Sequence, residues 1–160
     1  MTLELQNLLY QAEAKYLSLA EITDFKKHVS SLESRLEVYE ILRDREVDIF
    51  QAIADRLSSE LSQEKQERLE RGLKNWLLIV RSCAIAMLLN DPSFLQHRLL
   101  EWLTNLIQAH QLQPIENKIY ELLQSQLQQL FTSEQIALLK PFLEQAKKTL
   151  LQEKLAHLPG

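Results

Sequence analysis

An all-α fold is what this chain predicts, on three observations. Apolar residues recur at three- and four-residue spacing over most of its 160 residues. Turn formers are scarce, with 2 Gly and 4 Pro in the whole sequence, and β-branched runs of the kind that make strands are almost absent. Helix start and stop signals stand at the ends of the apolar stretches.

The first helix is expected over Leu3–Ala14, with Leu5, Leu8, Leu9 and Ala12 on one side. Ser18 and Glu21 have the spacing of a capping box, which starts a second helix at Leu19. That helix carries a stripe of Ile22, Phe25, Val29, Leu32, Leu36, Tyr39 and Leu42, broken only by Ser30-Ser31. A third helix is expected from about Glu46 to Leu57, with Ile49, Phe50, Ile53, Ala54 and Leu57 facing inward. Ser58 to Glu67 is polar and predicts a loop merging into the next helix.

From Leu69 the apolar positions are Leu73, Trp76, Leu77, Val80, Ala84, Met87 and Leu88, widened by Leu78, Ile79 and Ile85. A helix apolar nearly all round is buried on several sides, so this is the expected central helix. Asp91 then caps a new helix and Pro92 occupies its first turn, where a missing N–H removes no helical bond. Gln113-Pro114 does the same before Ile115–Leu130, and Thr132 with Gln135 makes a capping box for the last helix. Pro141 is expected to kink or interrupt that helix. Seven or eight helices in a single domain over residues 1–160 is the resulting organisation, with no internal repeat and no low-complexity tail.

Composition narrows the function. A net charge of -4 gives no broad basic face for phosphates, and Lys147-Lys148 is too small a spot to supply one, so no nucleic-acid partner is expected. A single cysteine, Cys83, rules out an intramolecular disulfide and fits a reducing compartment. The N-terminus lacks the basic-then-apolar block of a signal peptide. The run from Trp76 to Leu89 is short for a bilayer and carries Arg81, so no membrane span is expected. No glycine-rich phosphate loop, nucleophile–base arrangement or Cys/His cluster appears, and paired carboxylates such as Glu67 and Glu70 fall on polar helix faces, so no enzyme is expected.

Two segments resemble a known family. Tyr16-Leu17-Ser18, then Arg35-Leu36-Glu37-Val38 leading into the Ile49–Leu57 helix, is similar to the N-terminal half of phycobiliproteins, the bilin-carrying subunits of cyanobacterial light-harvesting antennae. Asp91-Pro92-Ser93-Phe94-Leu95, followed by Arg98, Leu100 and Leu103, is similar to the stretch after that family's central helix. His110-Gln111-Leu112-Gln113-Pro114 resembles the turn before its penultimate helix. The resemblance covers roughly Ala14 to Leu151 and implies a globin-like fold with an N-terminal helical extension. It also implies pairing of subunits, here as a homodimer, through N-terminal helices bearing Leu5, Leu8, Leu9 and Tyr10.

The family's chromophore site is altered. There a cysteine stands nine residues before an arginine on the central helix and forms a thioether with the bilin, while an arginine and an aspartate just after it meet the propionates and pyrrole N–H groups. Counting back from Arg81, the cysteine position is Gly72, the arginine is Lys74 and the aspartate is Asn75. Gly72 has no nucleophile. Cys83 lies eleven residues downstream, roughly 16 Å along a helix, and does not replace it. Asn75 accepts a hydrogen bond without the charge assistance of a carboxylate. No covalent cofactor is therefore expected, and a noncovalent bilin or haem would rest on Lys74, Asn75 and Arg81.

Each candidate has a simpler reading beside this one. Arg81 either meets a propionate or an acidic partner, or snorkels to an edge and pairs with a carboxylate of its own chain. Lys74 and Asn75 fit a solvated face equally well. His97 and His110 are the histidines placed to serve as an axial haem ligand in a globin-like fold, but a surface role for His97 and a helix-end role for His110 explain them as simply. Cys83 fits a small core residue. The functional expectation is a non-antenna relative of the phycobiliproteins that assists the phycobilisome in bilin supply, assembly or turnover, through phycobilisome subunits or bilin-pathway proteins as partners. The alternative is a globin-type haem or bilin sensor or carrier. Either would be cytoplasmic, the first associated with thylakoids through the phycobilisome.

Overall fold

The computed structural model of the protein describes the backbone of residues 3–107 and 113–156 and the side chains of residues 3–99 and 114–150. Among them the chain forms six helices and no strand: α1 Leu3–Ala14, α2 Leu19–Glu60, α3 Gln66–Leu89, α4 Pro92–Ile107, α5 Gln113–Leu130 and α6 Ser133–Ala156. Several boundaries fall where the local chemistry puts them. Ser18 Oγ accepts from Glu21 N–H at 3.2 Å while Glu21 Oε2 accepts from Ser18 N–H at 2.7 Å, a complete capping box. Thr132 and Gln135 exchange the same pair of bonds at the start of α6. α3 ends on Asn90, which takes the left-handed conformation at φ 49°, and Asp91 N–H reaches back to Ala86 O at 3.0 Å.

Two expected breaks do not occur, which is why there are six helices rather than seven or eight. α2 continues through Leu42–Glu46, so the second and third expected helices are one of 42 residues. Arg43, Asp44 and Arg45 are a solvated helix face, not a break. No glycine, proline or cap stands there, and Arg45 pairs with Asp48 one turn on at 3.1 Å. α6 likewise continues through Pro141. Pro141 and Ala137 both lie exposed, on a side of the helix where the bond lost to Pro141 leaves no group in the apolar core.

The core is built around α3, with the C-terminal half of α2 and α4, α5 and α6 packed against it. Ile53, Leu57, Ile79, Met87, Leu123 and Leu139 are among its fully buried side chains. Each removes apolar surface worth about 1.5–3 kcal/mol from water. By length and composition α3 could also cross a bilayer, but half of its apolar window is buried within the protein, as befits a central helix. The N-terminal region differs. No residue from Leu3 to Ser34 is buried. The expected stripe on α2 stands largely uncovered, with Ile22, Val29, Leu32 and Leu36 all exposed.

Candidate functional site

The central helix presents two opposite faces. Nine residues at 3.6 per turn amount to about half a rotation, so Gly72 and Arg81 point in opposite directions. Gly72 is buried, with Trp76, Val80 and Cys83 along the same inward side of α3. A Cβ built on Gly72 would lie 3.0 Å from Ile115 Cγ2 and 3.0 Å from Ile119 Cδ1. The two isoleucines of α5 fill the space that a side chain at this position would need. Trp76, one turn on, is 2 % exposed and packs its ring on Tyr120 at a centroid distance of 5.4 Å. Its Nε1 is fully buried without a hydrogen-bond partner, a local cost of about 1–3 kcal/mol accepted for the packing.

Cys83 is fully buried and its thiol donates to Phe142 O at 3.6 Å. Burial holds the thiol far above its usual ionisation range, so it stays a neutral SH. It is a core residue, as its sequence context suggests, and not a nucleophile.

The outward face of α3 carries Lys74, Leu78, Arg81 and Ile85, all exposed. Arg81 clasps Glu46 of α2 in a two-pronged pair, Nε–Oε1 at 2.6 Å and Nη2–Oε2 at 2.9 Å. That bond lowers the Glu46 pKa from its usual value, burial opposing it only in part. The pair stands at the rim of a cleft of about 300 Å³ between α2 and α3, walled by Tyr39, Ile49, Phe50 and Ile85. Lys74 shares the outward face but does not line this cleft, and Asn75 is half-buried between the two faces. His97 is exposed on α4, and the nearby Asp91 carboxylate is held below its usual pKa chiefly by the hydrogen bond from the Ser93 hydroxyl. His110 and the side chains of Leu100, Trp102 and Leu103 lie outside the described residues.

One buried charge escapes sequence reasoning altogether. Arg35 is 4 % exposed, and its guanidinium donates to Met87 O at 3.3 Å and Leu88 O at 3.2 Å, the last carbonyls of α3. Its Nε donates to Ser31 O at 3.1 Å within α2. A cation there meets the last carbonyls of α3, of which Met87 O also accepts from Asn90 N–H at 3.1 Å, and the negative end of the helix dipole. The sequence signal was an arginine among apolar neighbours. Its acceptors, more than fifty residues away, left no local trace.

Comparison with known families fits this architecture. A family model described as "Phycobilisome protein" matches residues 8–150, most of the chain. The chain belongs to the phycobilisome protein family. Curated proteins give no match. Members of the phycobilisome family assemble into phycobilisomes, usually bind bilins and are typically non-enzymatic light-harvesting proteins. The residues of this phycobilisome-family chain do not fit covalent attachment of a bilin at the central helix. Gly72 supplies no thiol, its surroundings are packed, and the single cysteine is buried and protonated.

Proposed function

We propose that this protein is an accessory member of the phycobilisome system, working through contacts with other subunits and carrying no covalently bound bilin. The observation that carries the proposal is the uncovered N-terminal extension. α1 has no buried residue, and a helix of its length is marginal in water on its own. Leu3, Tyr10, Tyr16 and Leu19 are each at least 71 % exposed, and Ile22, Val29, Leu32 and Leu36 continue the apolar strip along α2. The strip leads to the cleft beside Tyr39 and Arg81. Exposed apolar surface of this extent, rimmed by charges, is what subunit interfaces are made of.

The protein pairs through this extension with a second subunit of the same fold, most simply another copy of itself. Lys74 on the neighbouring face offers positive charge to an acidic partner or to a propionate of a noncovalently held bilin, and Arg81 would do so by exchanging Glu46 for it. Its work in bilin supply, antenna assembly or turnover is done beside the phycobilisome, at the cytoplasmic face of the thylakoid.

The test mixes the purified protein with dissociated phycobilisome subunits and follows both elution and visible absorbance. The proposal expects a shifted complex with those subunits, its loss in Val29→Asp, and complete release of any bilin on acid-urea denaturation. A chromophore that stays with the denatured chain, or elution unchanged by those subunits, would contradict it.

A further inference from the structure

Around Arg35 lies a second cleft, of about 270 Å³, bounded by α2, the turn between α3 and α4, and α6. Its polar lining is Arg35, Ser31, Asn90 and Gln145, and its apolar wall includes Leu138 and Phe142; no carboxylate lines it. Arg35 is nearly wholly buried, yet its hydrogen bonds account for Nε and Nη1 alone. The two N–H groups of Nη2 have no acceptor among the described residues, and no acidic side chain among them pairs with the guanidinium. A guanidinium carries five donors, and those of Nη2, which is not among the sealed polar atoms, reach the cleft, where an anion can meet them. Burial lowers the Arg35 pKa, with no neighbouring carboxylate to raise it. The α3 carbonyls satisfy part of the donor set; they carry dipoles, not a charge.

We infer that this cleft binds a small monocarboxylate with a compact apolar body, its carboxylate accepting from Arg35 Nη2 and its body against Leu138 and Phe142. An anion is selected because the cleft offers one buried cation and no competing acid. A small body is selected by the volume. The site shares no lining residue with the Arg81 cleft, and its Ser31 and Arg35 neighbour Leu32 and Leu36 of the N-terminal strip along α2.

The experiment titrates the intact protein with benzoate and, separately, with neutral benzamide, following the Arg35 side-chain N–H signals and the Leu138 methyls by NMR. Saturable shifts of both groups with benzoate, and at least tenfold weaker ones with benzamide, are expected, since a charge-assisted bond of about 1.5–3 kcal/mol corresponds to roughly tenfold or more in affinity. Arg35→Lys should weaken binding by a similar factor. Because that variant also loosens the α3 end, Ala137→Phe serves as a second: Ala137 is exposed and lines the cleft, so the ring fills it with the Arg35 bonds left in place. Ala137→Phe should abolish the benzoate shifts while leaving the Arg35–Met87 contact signals intact. No saturable shift with benzoate, equal shifts with benzamide, or undiminished binding by Ala137→Phe would overturn the inference.

Discussion

The N-terminal extension and the packed surroundings of Gly72 are opposite in kind. Residues 3–34 carry no buried side chain, and several of their large apolar side chains, among them Leu3, Tyr10, Leu19, Val29 and Leu32, stand exposed among the described residues. Around Gly72, Ile115 and Ile119 have closed the space in which the family's tether would stand. One region leaves apolar side chains exposed, and in the other a side chain at Gly72 would need Ile115 and Ile119 to give way. The contrast separates two properties that travel together in an antenna subunit. Here exposed apolar surface stands on the N-terminal region, while the central helix offers no thiol for covalent attachment at Gly72.

Truncation should break the two regions by very different amounts. Trp76→Ala in the core is expected to cost about 3–5 kcal/mol in urea unfolding, the range for removing a buried aromatic ring. Leu32→Ala on the extension should cost the isolated subunit about 0.5 kcal/mol or less, its effect appearing only as weaker association. Equal losses at both sites, measured in dilute protein, would mean that the extension is part of the core.

Restoring a side chain at the tether position sharpens the same contrast. Gly72→Cys should destabilise the protein, because overpacking costs about 1–3 kcal/mol and the gain in helix propensity of up to about 1 kcal/mol offsets only part of it. Coupling with Ile119→Val, which removes the Cδ1 atom in the way, should recover some of that loss. Incubation of Gly72→Cys with phycocyanobilin should give no zinc-fluorescent adduct on a denaturing gel. An adduct formed without loss of stability would show that the space is open. Native Cys83 should be inert to a thiol reagent until the protein is denatured, since it is fully buried and held protonated.

The smallest effect belongs to the outward face. Glu46→Gln should lower stability by about 1 kcal/mol or less, as for surface ion pairs. Because the bond to Arg81 depresses the Glu46 pKa below its ordinary 4.5, the contribution is present above that value. It is lost as pH falls through the lower folded-state value. Stability of the wild type should therefore fall toward that of Glu46→Gln in acid, with the two converging once Glu46 is protonated.

Much of the fold was legible because its signals are local. Ser18 with Glu21, Thr132 with Gln135, and Asp91-Pro92 each act within a turn, and the helices start where they stand. The misplaced breaks came from treating charge and a lone proline as terminators, whereas the Arg43–Arg45 cluster and Pro141 both lie on exposed sides that a helix tolerates. The loss of the tether thiol was visible by counting from Arg81. The closure of its space was not, because it depends on Ile115 and Ile119, more than forty residues away in the chain. The same distance problem hid Glu46 as the partner of Arg81 and the α3 carbonyls as the partners of Arg35. Nor does a helical stripe reveal what covers it: Ile22, Val29, Leu32 and Leu36 have the spacing of a core face and are exposed.

Sedimentation equilibrium of the purified full chain over a wide concentration range, beside Leu32→Asp, tests the pairing surface most directly. A reversible dimer for the wild type, shifted to monomer by Leu32→Asp with unchanged helical content, is the expected result. A wild type that stays monomeric at every concentration, or a dimer indifferent to Leu32→Asp, would contradict the account.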